Sequence, residues 1–257
     1  LVWHKALPVW FDEKVTRDNA ERILRDHIDT VVRRYAGAIH SWDVVNEAVR
    51  LEDRLPGRLR RSPWYDRLGP DYIRIAFEAA AKADPNARLV YNDYGVDYAT
   101  RSEGRKREAV YGLLQNLVST GTPIHALGIQ SHLRGWERRF DPLELQSFLR
   151  AVAELGLEVY VTELDVSDQR LPATIAERDA IVARVYEEYL EAVLDVPQVR
   201  LVMTWGLSDR YTWLTEHRPR PDGQPVRPLP LDAELQAKPA WRAMARAFSS
   251  AADRGGV

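Results

Sequence analysis

Short apolar runs alternate along this chain with longer segments of helical spacing. The runs "LVW", "IHSWDVV", "RLVYN", "ALGIQ", "EVYVT" and "RLVMTW" are rich in β-branched, aromatic and aliphatic residues, as in strands buried on both faces. Between them apolar residues recur three and four apart. From Asp18 to Tyr35, the residues Ile23, Leu24, Ile28, Val31, Val32 and Tyr35 share one helical face. The same spacing predicts helices from about Asp71 to Ala83, where Asp84-Pro85 ends the pattern, and from Ser102 to Thr120. Further helices are expected over Pro142 to Leu155, with Gly156 as C-cap, over Thr174 to Leu194, and near Ala240 to Phe248. The basic run "RLRRS" (residues 58–62) reads as a solvated loop, with contact to an acidic group on a substrate as its functional alternative. A Pro-rich loop spans 214–239, and residues 249–257 read as a flexible tail.

Six strands, each followed by a helix and with no dividing linker, argue for a parallel sheet covered by helices over residues 1–248. An open doubly wound sheet and a (β/α)8 barrel both satisfy that pattern, and six units leave a barrel two short. The strand ends inform the choice. They carry Trp3-His4, Asn46-Glu47, Asn92-Asp93, Gln130 and His132, Glu163 and Asp165, then Trp205. An open sheet gathers its ligand groups at one switch point, whereas a barrel collects the ends of all its strands into a ring. Contributions from six strands favour the barrel. No G-x-G-x-x-G or P-loop pattern follows the run ending in Glu47, which argues against a nucleotide fold.

Two of these strand ends offer a carboxylate after β-branched residues: Glu47 in "WDVVNEA" and Glu163 in "VTELDV". Either alone reads as a structural carboxylate. Together, with aromatic neighbours, they suit glycoside hydrolysis, which needs an acid at the leaving oxygen and a carboxylate at the anomeric carbon. Trp205 and Trp213 flank the polar loop "GLSDRYT". Most tryptophans are core, but indoles there can stack on a pyranose ring. A net charge of −2 in 257 residues gives no global field for nucleic acid or an anionic membrane. With no cysteine there is neither a disulfide framework nor a thiolate metal site. The six histidines show no metal-binding spacing, so no metal is expected, and His27 and His125 read as ordinary helix and loop residues. A G-x-S-x-G elbow is absent, and no stretch is apolar for long enough to span a bilayer.

Taken together, "LVWHKALPVWF", "WDVVNEA", "YNDYG", "GIQSHL", "VTELDV", "TWGLSDRYTWL" and the closing "KPAW" resemble the family 10 glycoside hydrolases. These are retaining endo-β-1,4-xylanases on a (β/α)8 barrel, and the resemblance runs from residue 1 to about 248. It implies Glu47 as general acid/base and Glu163 as nucleophile, about 5–5.5 Å apart as a retaining pair requires. It implies Asn46 at the sugar 2-hydroxyl, His132 bonded to the nucleophile, Asp165 orienting His132, and Gln130 lining the same pocket. Trp3, Trp205 and Trp213 are expected to wall the glycone side and Asn92 and Tyr94 to face the aglycone side, with His4 behind the sugar-contacting residues. No cofactor is implied. The implied partner is xylan or a xylo-oligosaccharide, with no nucleic acid or membrane, and the implied location is secreted or periplasmic.

The family carries two further β/α units before the "LVWH" strand, so the resemblance implies a (β/α)8 barrel incomplete at its N-terminus. The chain begins in mid-strand without a Met and without a signal-peptide pattern, as a fragment of a longer enzyme does. A natural truncated form, or another chain filling the gap, with association through the open side, are the alternatives. Two other readings of function stand beside the xylanase: a xylan-binding or weakly active barrel, and a hydrolase of another β-1,4-glycan.

Overall fold

The computed structural model describes residues 1–255, with side chains described through Ala251. They form two compact units. One holds Leu1–Asp93, Arg101–Gly128 and Val152–Val159; the other holds Tyr94–Thr100, Ile129–Ala151 and the chain from Tyr160 onward.

In the first unit a short helix α1 (Phe11–Lys14) precedes α2 (Ala20–Arg34) and strand β1 (Ser41–Asn46). Leu24, Ile28 and Val32 of α2 are fully buried, the stripe the spacing predicts, while Tyr35 ends up exposed just past the helix. Helices α3 (Pro63–Leu68) and α4 (Tyr72–Ala83) follow, then β2 (Arg88–Asp93), α5 (Arg101–Ser119) and β3 (Ala126–Ile129), whose last residue passes into the second unit. Helix α4 packs on α2 with Ile73, Ala76, Phe77 and Ala80 buried. β1 and β2 pair in parallel from Ser41↔Arg88 to Asn46↔Asn92, with a register irregularity between Asp43 and Val45. That irregularity sets Asn46 and Asn92 side by side at the strand ends.

The opening "LVW" makes a single parallel bridge, Val2 to Val45, where a strand is expected. Val2 gives to Val44 O at 2.9 Å and accepts from Asn46 N–H at 2.9 Å, and the chain then leaves the extended path, reaching φ 56° at Ala6. The "RLRRS" run is a correction as well. Arg60 and Ser62 are buried. Ser62 caps α3, its hydroxyl accepting from Tyr65 N–H at 3.1 Å, and Pro63 takes the first helical position, where its missing N–H costs nothing.

The second unit contains β4 (His132–Arg134), most of α6 (Pro142–Glu154), the greater part of β5 (Glu158–Ser167), α7 (Ile175–Leu194), β6 (Val199–Thr204), α8 (Leu214–His217) and α9 (Pro239–Gly255). The stretch "ALGIQSHL" thus divides into β3 and β4. Ser131, between them, has φ 58°, and its hydroxyl meets Tyr189 Oη at 2.6 Å. Tyr189 in turn donates to Asp97 at 2.9 Å. β4 pairs with β5 in parallel, His132 opposite Asp165, and β6 also pairs with β5. Helix α7 packs on α9. Helix α9 continues to Gly255, past Phe248, so part of the stretch read as tail is helical, and residues 256 and 257 lie outside the described residues.

Candidate active site

In the first unit the end of β1 carries Asn46 and then Glu47, whose φ of 61° lies in the left-handed region. A residue with a Cβ holds that conformation where its surroundings fix it, and here Asn92 and Arg60 bond its main chain on both sides. The Glu47 N–H donates to Asn92 O at 2.8 Å, and Arg60 N–H donates to Ala48 O at 2.6 Å. Arg60 Nε donates to the Glu47 carbonyl at 2.6 Å. Lys106 Nζ donates to Val49 O and, at 2.8 Å, to Asp93 Oδ1. Asp93 also accepts from the Tyr91 hydroxyl. The carboxylate of Glu47 lies 3.7 Å from His4 Nδ1 and 3.6 Å from Arg60 Nη2. Burial, together with the charges of Arg60, Lys5 and Arg50, lowers the His4 pKa from 6.5 to about 4, so the imidazole is neutral at pH 7. Trp3 packs edge-on to His4 with ring centroids 5.5 Å apart. Asn92, buried, donates to Asn46 Oδ1 at 3.2 Å. Trp3, His4, Asn46, Glu47 and Asn92 therefore all belong to one neighbourhood of this unit.

In the second unit Glu163 and Asp165 point to the same side of β5, two residues apart, as strand geometry requires. His132 on β4 spans them. Its Nε2 lies 3.1 Å from Glu163 Oε2 and its Nδ1 lies 3.0 Å from Asp165 Oδ2. Burial pulls the imidazole pKa down, but the hydrogen bonds and charges of Asp165 and Glu163 outweigh it and raise the value from 6.5 to about 9. His132 is therefore an imidazolium at neutral pH, held between two carboxylates. Asp165 Oδ2 also accepts the Trp213 indole N–H at 2.8 Å, and the Trp213 ring lies 5.0 Å from that of His132. Trp205 continues the pairing of β6, donating from its N–H to Leu164 O at 3.0 Å, with its side chain about half exposed. Gln130 is buried just beyond β3, and Tyr94 follows β2 as an exposed aromatic. Trp213 is thus tied to the polar cluster by its indole nitrogen, while Trp205 leaves an open aromatic face.

Arg60 and Lys106 are the neighbours that reasoning from the sequence missed. "RLRRS" carries no sign of which arginine turns inward, although the Ser62-Pro63 helix start two residues on is a signal that the run is not free. Among the described residues no group of three or more His, Cys, Asp or Glu could hold a metal ion, and no helix is long and apolar enough to cross a membrane. A cavity of about 950 Å³ in the first unit, beside the loop 51–59, α4 and α5, contains none of the residues above.

The model of glycosyl hydrolase family 10 matches residues 1–247. Endo-1,4-β-xylanase B of Paenibacillus barcinonensis is 37% identical over 261 residues, covering 94% of this chain and 74% of the relative. Endo-1,4-β-xylanase B of Thermotoga neapolitana is also 37% identical, over 83% of this chain and 59% of its own length. The chain thus spans less than two thirds of some of these relatives. The crystal structure of xylanase 10B from Thermotoga petrophila RKU-1 in complex with xylobiose superposes with a TM-score of 0.85 at 31% identity, covering 97% of this chain and 72% of that one.

Proposed function

Because this chain belongs to glycosyl hydrolase family 10 and shares the α/β barrel-type fold of its solved relatives, with six strands among the described residues, we propose that it acts as a retaining endo-1,4-β-xylanase, with Glu47 as general acid/base and Glu163 as nucleophile. The observation that carries the reading is the surroundings of Glu163. The His132 imidazolium stands 3.1 Å from the carboxylate that would attack the anomeric carbon, a cation fixed beside the nucleophile. Asp165 and the Trp213 indole in turn orient that imidazolium.

In the first step Glu47 donates its proton to the glycosidic oxygen, the C1–O bond breaks, and Glu163 bonds to C1. In the second, Glu47 takes a proton from water, the water oxygen bonds to C1, and Glu163 leaves as carboxylate. Asn46 hydrogen-bonds the sugar 2-hydroxyl at the reacting centre. Trp205 offers its open face to a sugar ring, with Trp3 and Trp213 beside the glycone, Asn92 and Tyr94 toward the aglycone, and Gln130 lining the pocket. The xylobiose bound by the Thermotoga petrophila relative supports a xylo-oligosaccharide as ligand. A polymeric substrate favours a secreted or periplasmic location.

The test is reducing-sugar release from xylan by this chain beside its Glu163→Ala variant. Release lost in the variant is the expected result. Xylan binding with no release from the folded wild-type chain overturns the catalytic reading in favour of a binding module.

A further inference from the structure

A buried guanidinium joins the two parts of Glu47 that matter for proton transfer, its main chain and its carboxylate. Arg60 is buried, and burying a cation is costly unless its donors are used. Its Nε donates to the Glu47 carbonyl at 2.6 Å, and its Nη2 stands 3.6 Å from Glu47 Oε2. Its own N–H donates to Ala48 O at 2.6 Å, so Arg60 is itself anchored to the segment it holds. These contacts meet where Glu47 departs from strand geometry to φ 61°. The left-handed turn carries the side chain off the line of β1, and a carbonyl fixed from outside is what keeps a non-glycine residue there. Two other anchors bracket the turn: Asn92 O accepts from Glu47 N–H at 2.8 Å, and Lys106 Nζ donates to Val49 O. Arg60 touches both the main chain and the carboxylate side of residue 47. Its charge also bears on His4, the other group beside that carboxylate, second only to burial.

We propose that Arg60 is a positioning residue for Glu47: it fixes the left-handed conformation through the Glu47 carbonyl and aims the carboxylate beside His4, so that the proton is delivered to the leaving oxygen. The inference rests on the reading of Glu47 as general acid. A planar fork suits the task, because one flat group must reach a carbonyl and a carboxylate at once. A lysine at position 60 keeps the charge and reaches only one of them.

The test uses Arg60→Met and Arg60→Lys with two aryl β-xylobiosides. Dinitrophenolate leaves without a proton, whereas phenolate needs one. For phenyl xylobioside kcat/KM is expected to fall about 10- to 100-fold in Arg60→Met, a part of what general acid catalysis contributes. For the dinitrophenyl substrate kcat/KM is expected to change by less than about threefold, with Arg60→Lys between wild type and Arg60→Met on the phenyl substrate. Equal losses on both substrates overturn the proposal, since a general structural defect does not sort leaving groups. A crystal structure of Arg60→Met, or of Arg60→Lys where the methionine variant does not fold, gives a readout free of activity. Glu47 displaced from its left-handed conformation or swung from His4 supports the proposal; Glu47 unmoved overturns it. Should wild type release neither aglycone, the xylanase reading falls, while the conformation of Glu47 in the variant still decides the role of Arg60.

Discussion

His132 Nε2 lies 3.1 Å from Glu163 Oε2 while its Nδ1 faces Asp165 Oδ2 at 3.0 Å. One imidazolium thus serves two carboxylates on a single strand, and the fold has to keep it charged. Its pKa of about 9 exceeds the ordinary 6.5. A folded-state value raised in this way gives stability that is complete below about pH 6.5 and is lost as pH climbs through about 9. The gap corresponds to about 3 kcal/mol for this mostly buried group. Thermal unfolding followed from pH 6 to 10 should show the melting temperature falling across that window. His132→Gln should be less stable at pH 6 and should lose less over the same range. A variant with the wild-type slope would show that another group titrates there.

The double-displacement reading makes a covalent prediction. A 2-deoxy-2-fluoro-xylobiosyl donor with a good leaving group should trap the chain as an ester of Glu163, because the fluorine slows both steps while the good leaving group speeds only the first. Mass spectrometry of the intact chain should show one added xylobiosyl group, and peptide mapping should locate it within residues 158–167. Glu163→Gln should stay unlabelled. Labelling that persists in that variant assigns the nucleophile elsewhere.

Most of this arrangement was legible in the sequence where it depends on local pattern. Leu24, Ile28 and Val32 repeat at four-residue intervals and become the buried stripe of α2. Glu163 and Asp165 share a side of β5 because strand residues alternate. Contacts that join distant segments left no local trace. Arg60 follows Glu47 by 13 residues, across two 3₁₀ turns, and Trp213 follows Asp165 by 48. Periodicity says nothing of either. The "LVW" segment runs parallel to β1 as its composition suggests, Leu1 donating to Asp43 O and Val2 to Val44 O, but it forms one bridge, at Val2, before the chain turns away at Ala6. At Ser131 the positive φ that separates β3 from β4 is held by Tyr189, 58 residues away.

Trp213 has two contacts that can be separated by substitution: its ring packs tilted against that of His132, and its N–H bonds Asp165. Phenylalanine keeps an aromatic ring and removes the donor. Asp165 Oδ2 then loses a 2.8 Å partner in a site where the side chain is almost wholly buried. Hydrogen bonds to charged groups contribute about 1.5–3 kcal/mol. Urea unfolding of Trp213→Phe at pH 7 should show a loss of about that size, with an unchanged m-value. Loss of xylan hydrolysis should accompany it if Asp165 must be fixed to orient His132. Full activity with reduced stability would assign the indole N–H to folding alone.

The segment after β6 is held by another buried pair. Lys238 Nζ lies 2.9 Å from Asp209 Oδ2 and also donates to Arg227 O at 2.7 Å. Asp179 Oδ1 is 3.7 Å from the same ammonium. Burial raises the Asp209 pKa from 3.8 to about 6 even with Lys238 and Arg227 pulling it down. Removing the lysine leaves a carboxylate in a site that already disfavours its charge, and breaking a buried pair on one side costs about 3–5 kcal/mol. Lys238→Met should therefore be destabilised by about that much at pH 7. The sign of the pH dependence follows from the raised value: losing Lys238 raises Asp209 further, a protonated Asp209 is the form the site tolerates, and the defect should shrink as pH falls from 7 towards 6 and stay small below it. The double variant Lys238→Met/Asp209→Asn should recover much of the loss at pH 7, because the neutral amide removes the stranded charge. Urea titrations of the three chains at pH 5 and pH 7 check both points, and a defect of equal size at the two pH values would mean that Lys238 acts through its bond to Arg227 O instead.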